Sequence, residues 1–279
     1  MRIAITGGLG QLGRSLSQVL ENHDLLIIDL PEVDITHGSS VMDCLNEWQP
    51  DLVIHCAAYT DVDGCARNPE LAYQVNALGT QNVALASRTA GSAMVHISTN
   101  EVFAGDDPGG YQEWRPLGPI NAYGRSKAAA EYFVRQILAQ FYIVRTAWLY
   151  APGGRNFIHA IVERAREGKP LKVVVDEIGN PTYVVDLAQA IRDLIASEQY
   201  GIYHFTNSGS CSRWAFAREI LRLSDLDHVP VIPILSRNYK RASTPPPYGD
   251  LINKAGAANG ITLRPWSEAL AEYIQEYGT

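Results

Sequence analysis

A phenol and an ammonium stand four residues apart at Tyr123 and Lys127, in the run Tyr123-Gly124-Arg125-Ser126-Lys127. The stretch reads as the start of a long helix, where positions i and i+4 share a face, so both groups turn to one side. A free tyrosine ionises near pH ~10, and a neighbouring cation favours its anion. The lysine is therefore expected to lower the phenol and make it a usable proton donor at neutral pH. That pairing suits carbonyl reduction, in which an alkoxide forms and must be protonated. With 14 Tyr and 5 Lys among 279 residues, chance alone gives roughly 0.25 such spacings, so the pair needs a second signal.

The second signal opens the chain. Arg2-Ile3-Ala4-Ile5-Thr6 is a short apolar strand that runs into Gly7-x-x-Gly10-x-x-Gly13 and then into an amphipathic segment from Gln11 to Leu20. Glycines there allow a tight turn, bring a pyrophosphate close to the amides of a helix start, and let helix and strand pack closely. Strand, loop and helix follow in the order a dinucleotide-binding fingerprint requires. The spacing is G-x-x-G-x-x-G rather than G-x-G-x-x-G. A glycine-rich turn with no ligand is the plain alternative.

The elements that must position these groups follow from the pattern of apolar runs. Strands are expected at Ile3–Ile5, Leu25–Asp29, Leu52–His55, Ala93–Ser98 and Tyr142–Arg145. Helices are expected near Gln11–Glu21, Val41–Trp48, Glu70–Arg88 and Ala122–Gln140, with Pro69 at a favoured first helical position. Such alternation implies an α/β fold of the Rossmann type, a doubly wound parallel sheet with helices on both faces. Ligands bind outside the carboxyl ends of its strands. Asp29, Cys56-Ala57-Ala58, Ser98-Thr99 and Thr146-Ala147-Trp148 all fall there. After Tyr150 the pattern loosens into helices at Asn156–Glu167, Val185–Ala196 and Arg213–Leu223, a strand at Lys172–Val175, a short strand beyond Gly201 and a last helix from Ser267. Residues 1–150 are thus expected to form the dinucleotide-binding domain, with part of 183–205 returning to it. Residues 151–279 would be mainly a smaller, substrate-binding lobe.

Composition narrows the class. Hydrophobic residues make up 46%, as in ordinary globular proteins. A net charge of −7 argues against non-specific nucleic-acid binding but allows a local basic pocket. The N-terminus is already the first strand, so no signal peptide is expected, and no apolar run nears the ~20 residues that span a bilayer. Cys44, Cys56, Cys65 and Cys211 form no C-x-x-C pair and read as reduced thiols of a cytoplasmic protein. The seven histidines show no metal-ligand spacing, so no metal site is expected.

Together these residues resemble the extended short-chain dehydrogenase/reductase family. The T-G-G-x-G-x-x-G opening, Ala57-Ala58, Asn76, Ser98-Thr99 and Tyr123-x-x-x-Lys127 match it in order. Within it, the chain is similar to the dTDP-4-dehydrorhamnose reductases. The similarity rests on Gly10-Gln11-Leu12-Gly13, Asp34-Ile35-Thr36, Ala57-Ala58-Tyr59-Thr60-x-Val62-Asp63, Val75-Asn76, Arg145-Thr146-x-Trp148, Asn156-Phe157, Gly179-x-Pro181-Thr182 and Leu263-Arg264-Pro265-Trp266. These runs span nearly the whole chain.

The resemblance implies reduction of the 4-keto group of a dTDP-4-keto-6-deoxy sugar with NADPH or NADH, in deoxysugar or polysaccharide biosynthesis. It implies Thr99, Tyr123 and Lys127 as the catalytic set. It implies a cofactor site of Gly7, Gly10, Gln11, Leu12, Asp29, Leu30, Asp34, Ile35, Cys56, Ala57, Ala58, Thr60 and Asn76, with Tyr123 and Lys127. It implies that Trp148, Asn156 and Thr182 meet the dTDP-sugar, and a homodimer is the candidate assembly; Glu101 and Arg241, which depart from the family pattern, are further candidates to meet it. Trp148 could equally be packing, and Asn156 and Thr182 could equally cap helices.

Two positions depart from the family. Its usual S-T-D-Y-V-F is here Ser98-Thr99-Asn100-Glu101-Val102-Phe103, which puts a carboxylate where an aromatic hydroxyl faces the sugar. If the strand path continues, Glu101 shares the face of Thr99 and faces the hexose; a solvated loop glutamate with no role is the plain alternative. An arginine usual before the late proline-containing loop is missing near Thr244, and Arg241 is the nearest candidate to replace it. Asp29 ends the second strand, where an acid can bond the adenine ribose, whereas Arg14 could reach a 2′-phosphate. Two other readings stay open: a non-catalytic NAD(P)-binding regulatory subunit, and a nucleotide-sugar epimerase sharing the same triad.

Overall fold

The computed structural model describes residues 1–153 and 156–278. The first half alternates strictly. β1 (Arg2–Thr6), α1 (Gln11–Val19), β2 (Asp24–Ile28), α2 (Gly38–Trp48) and β3 (Leu52–His55) come first. Then follow α3 (Val62–Arg67), α4 (Pro69–Ala72), a π-helical run Tyr73–Gly79, α5 (Thr80–Ala90), β4 (Ala93–Thr99), a 3-10 turn Asn100–Val102, α6 (Ala122–Ile137) and β5 (Phe141–Thr146). The second half is looser. It holds β6 (Leu149–Tyr150), α7 (Phe157–Arg166), β7 (Leu171–Val174), β8 (Ile178–Gly179), β9 (Thr182–Tyr183), α8 (Val184–Ser197) and β10 (Gly201–His204). It ends with β11 (Cys211–Ser212), α9 (Arg213–Leu223), β12 (Val231–Ile234), α10 (Ala255–Ala258) and α11 (Trp266–Tyr277).

Six strands form the central sheet in the order β10-β5-β4-β3-β1-β2, and every pairing is parallel. Alternation along each strand feeds two cores. Ile3, Ile5, Val95 and Val144 face the core shared with α1 and α8, whereas Ala4, Val53, Met94 and Ile143 face the one beneath α2 and α5. The chain leaves β1 toward β2 and returns past it to β3, so the winding reverses between β1 and β3. That reversal opens the crevice in which such folds bind ligands. The glycine loop stands at its rim.

The helix expected over Glu70–Arg88 is observed as α4, a π-helical run and α5. The widened turn carries Asn76, whose side chain is tied to the β3 loop and to α6. α3 was not anticipated; Asp61 caps it by accepting the Gly64 N–H at 2.9 Å. Among the described residues no helix is long and apolar enough to cross a membrane, and no group of His, Cys, Asp and Glu could hold a metal ion.

Candidate active site

The site is built from the ends of β1 to β5. Gly7 adopts φ +68°, and a Cβ on it would lie 2.6 Å from the Ala57 amide nitrogen, so only glycine lets the two loops meet. Gly10 precedes α1 and offers no side chain to cap it. The first-turn amides of α1 therefore open on the cleft, with the partial positive charge of the helix start behind them. The residues fit a dinucleotide. Gly7, Gly10 and Gly13 leave the end of the cleft beside α1 without side chains of their own, and a cleft of about 1000 Å³ runs from there to Trp148.

Gly7, Gly10, Gln11, Leu12, Asp29, Leu30, Asp34, Ile35, Cys56, Ala57, Ala58, Thr60, Tyr123 and Lys127 line this cleft, as do Thr99, Glu101 and Trp148. The Asp29 carboxylate accepts the N–H groups of Leu9 (2.8 Å) and Leu30 (2.9 Å), which latches the glycine loop to β2. Arg14 is folded back, donating from Nε to the Leu9 carbonyl at 2.8 Å, and does not line the cleft. Bonds from the Thr36 N–H and hydroxyl hold the Asp34 carboxyl below its usual range.

At the far end, α6 presents Tyr123 and Lys127. Asn121 caps it by accepting the Gly124 N–H at 2.8 Å. Gly124 is needed there because a Cβ would collide with the Glu101 carbonyl oxygen. Lys127 is 3% exposed, and burial lowers its ammonium from 10.5 to about 8. Against expectation, the phenol is not lowered. Burial raises Tyr123 well above the usual tyrosine value, Glu101 and Cys65 add to the rise, and only a bond with Thr99 opposes it. Beneath Lys127, His55 sits between the hydroxyls of Thr6 (2.6 Å) and Thr80 (2.9 Å). Burial and the ammonium push it down to about 3, so it is neutral.

Glu101 does not continue the strand. β4 ends at Thr99 and the 3-10 turn begins, with the Glu101 N–H donating to Thr99 Oγ1 at 3.2 Å. The turn nevertheless brings the carboxylate into the cleft. Glu101 also lines an adjoining cleft of about 370 Å³, together with Trp148, Glu177, Arg213 and Arg241.

Three expected residues lie elsewhere. Asn76 is fully buried. Its Oδ1 accepts the Tyr59 N–H (2.7 Å) and its Nδ2 donates to the Tyr59 carbonyl (3.1 Å) and Ser126 Oγ (3.0 Å), so it buckles the β3 loop to α6 instead of lining the cleft. Asn156 caps α7 and donates to the Ala151 carbonyl and the Tyr273 hydroxyl, outside both clefts. Thr182 is fully buried in β9. Its N–H donates to the Trp148 carbonyl at 3.2 Å, so it fixes the residue that does line the cleft. Arg241 lines the smaller cleft and is paired with Glu177.

A family model described as the RmlD substrate binding domain matches residues 1–279. The chain belongs to this family. It is 38% identical over 277 residues to the spore coat polysaccharide biosynthesis protein SpsK of Bacillus subtilis (strain 168), covering 99% of this chain and 97% of that one. It is 37% identical over 280 residues to a dTDP-4-dehydrorhamnose reductase of Streptomyces griseus, covering 97% and 92%. Among solved structures, the dTDP-4-dehydrorhamnose reductase of Bacillus anthracis str. Ames in complex with NADP matches with a TM-score of 0.95 at 41% identity, covering 99% of each chain.

In this RmlD-family chain one cleft residue had no sequence signal. Arg213 lines both clefts from the first turn of α9, with its guanidinium 3.5 Å from the centre of the Trp148 ring. Burial lowers it to about 10. Trp148 itself holds φ +44°, a conformation that costs a non-glycine residue on the order of 1–2 kcal/mol. Asn121, by contrast, was legible: an asparagine directly before an apolar-periodic run is a helix-start signal.

Proposed function

We propose that this chain reduces the 4-keto group of a dTDP-4-keto-6-deoxy sugar, of the dTDP-4-dehydrorhamnose to dTDP-rhamnose type, with NADPH or NADH. The observation that carries this is one continuous cleft. The glycine loop lies at one end, Thr99, Tyr123 and Lys127 at the other, and a second, charged cleft adjoins them. The names of full-length relatives support the same chemistry.

The reduced nicotinamide supplies the hydride when bound. The Thr99 and Tyr123 hydroxyls polarise the sugar carbonyl, most strongly as charge develops on its oxygen. Tyr123 then gives its proton to that oxygen. Lys127 stabilises the phenolate left behind and holds the cofactor ribose. Tyr123 is protonated at neutral pH, and with its phenol raised by burial it yields its proton only as charge develops on the carbonyl oxygen. Trp148 and Arg213 form the wall between the two clefts, and Glu101 and Arg241 contact the sugar nucleotide. Residues 1–150, with part of 183–205, serve the cofactor, and residues 151–279 mainly the substrate. A cytoplasmic enzyme, homodimeric in solution and without nucleic-acid partners, completes the proposal.

Asp29 at the end of β2, with Arg14 turned away, supports use of NADH at least as well as NADPH. The test offers a panel of 4-keto dTDP-sugars with each cofactor and follows cofactor oxidation. Turnover of the 6-deoxy-4-keto sugars is expected. No turnover with any of them sinks the proposal, and a hundredfold preference for NADPH sinks the role of Asp29. Tightly retained NAD with sugar epimerisation would instead identify an epimerase.

A further inference from the structure

Glu101 is the residue whose surroundings the catalytic set leaves unexplained. It is an acid set among the reacting groups of a site that already has a proton donor. Its Oε2 accepts from Asn121 Nδ2 at 2.5 Å. The same amide donates to the Thr244 carbonyl at 3.0 Å, and its Oδ1 caps α6 at Gly124. One asparagine thus clamps the carboxylate to the turn of helix that carries Tyr123. From the other side, the Glu101 N–H is bonded to the Thr99 hydroxyl, and the Glu101 carbonyl oxygen lies against Gly124. Among the described residues Oε1 has no hydrogen-bond partner. The carboxylate is thus tied through Oε2 to the start of the helix that carries Tyr123, and its backbone is held to Thr99 and packed against Gly124.

We propose that Glu101 is a positioning residue for proton donation: clamped by Asn121, its negative charge keeps Tyr123 in the protonated form as the reaction proceeds. This rests on the assignment of Tyr123 as the acid. The groups facing Tyr123 are Thr99 from the end of β4, Glu101 from the 3-10 turn that follows, Cys65 from α3, Tyr59 from the β3 loop and Lys127 from its own helix. Those around Glu101 are Asn121, Arg213, Arg241 and Glu177, with Asp61 and Asp63 in the same cleft. Within the phenol's surroundings Glu101 is the carboxylate that opposes the Lys127 cation. A bound nicotinamide, once oxidised, would add a second positive charge to that end of the cleft. A fixed anion offsets that pull, and the phenol retains its proton until the carbonyl oxygen takes it. The usual tyrosine of the family at this position has no charge with which to do so.

The test is the pH profile of the reduction, measured for the native chain, Glu101→Gln, Glu101→Asp and Asn121→Ser. Asn121→Ser keeps a helix cap but releases the carboxylate. The alkaline limb is expected to move down by about one pH unit in Glu101→Gln. It should move in the same direction, by less, in Asn121→Ser and in Glu101→Asp, both of which keep the charge but loosen the clamp. A second readout does not need turnover. NMR of isotope-labelled tyrosine at Cζ, assigned with Tyr123→Phe, reports phenol ionisation in the free protein and with oxidised cofactor. It should show the same downward movement. An alkaline limb and a phenol titration that do not move in Glu101→Gln, with only KM raised, would overturn the proposal and leave Glu101 as a sugar contact. If Tyr123→Phe still reduces the substrate, the acid itself is misassigned, and the NMR titration separates that failure from this one.

Discussion

Replacing Lys127 by methionine should stabilise the protein while abolishing its chemistry. The side chain is 3% exposed, and burial lowers the ammonium from 10.5 to about 8, with Glu131 and Cys56 only partly opposing. At ~1.4 kcal/mol per pH unit, that fall costs the native state roughly 3 kcal/mol wherever the ammonium is charged. An unfolded chain keeps its proton to about pH 10.5 and the folded chain to about pH 8. Between those values the unfolded state binds more protons, so native stability rises with pH across that window and carries the full penalty below it. Methionine keeps the length and removes the charge. Lys127→Met should therefore unfold at higher urea than the native chain at pH 7, by ~1–3 kcal/mol, and the gap should close toward pH 10. Urea titrations of the cofactor-free protein at several pH values measure it. A variant less stable at pH 7, or a gap that ignores pH, would show that the ammonium is solvated or paired and refute the reasoning.

Three further outcomes follow from the same geometry. Tyr123→Phe should slow reduction by ~10²–10⁴-fold in single-turnover kinetics while the cofactor dissociation constant stays near native. Gly7→Ala should abolish cofactor binding in a fluorescence titration, since its Cβ would sit 2.6 Å from the Ala57 nitrogen at φ +68°. Arg145→Met should destabilise by ~3–5 kcal/mol in denaturant unfolding, because it strands the buried Glu131 carboxylate that Arg145 holds at 2.7 and 2.9 Å.

The glycine loop, the five long strands and the Tyr123 helix were legible because each is a local pattern: an apolar run, a cap, a spacing of four. Where the outcome depended on distant partners, the sequence was silent. The π-helical run around Asn76 answers to Tyr59 and Ser126, which are 17 and 50 residues away. Arg213 reaches Trp148 only because β11 and β8 pair and set the start of α9 over the cleft. β6, β8, β9 and β11 are two residues long, too short for alternation to register. The direction of the Tyr123 shift is hidden from the sequence for a related reason. Sequence spacing shows the lysine, but burial and Glu101 act through the folded surroundings.

The return of β10 to the sheet has a consequence for how the chain is inherited and cut. β10 pairs along β5 from 59 residues downstream, and α8, just before it, lays Val184, Leu187, Ile191 and Leu194 against the core it shares with α1. A fragment ending near residue 150 would leave β5 as a bare sheet edge and expose the apolar flank of α1, the conditions under which chains stick to one another. The half that would hold the cofactor is thus not a module that recombination can lift out intact. Its last strand travels with the other half, so both halves must fold, and be exchanged between relatives, as one piece.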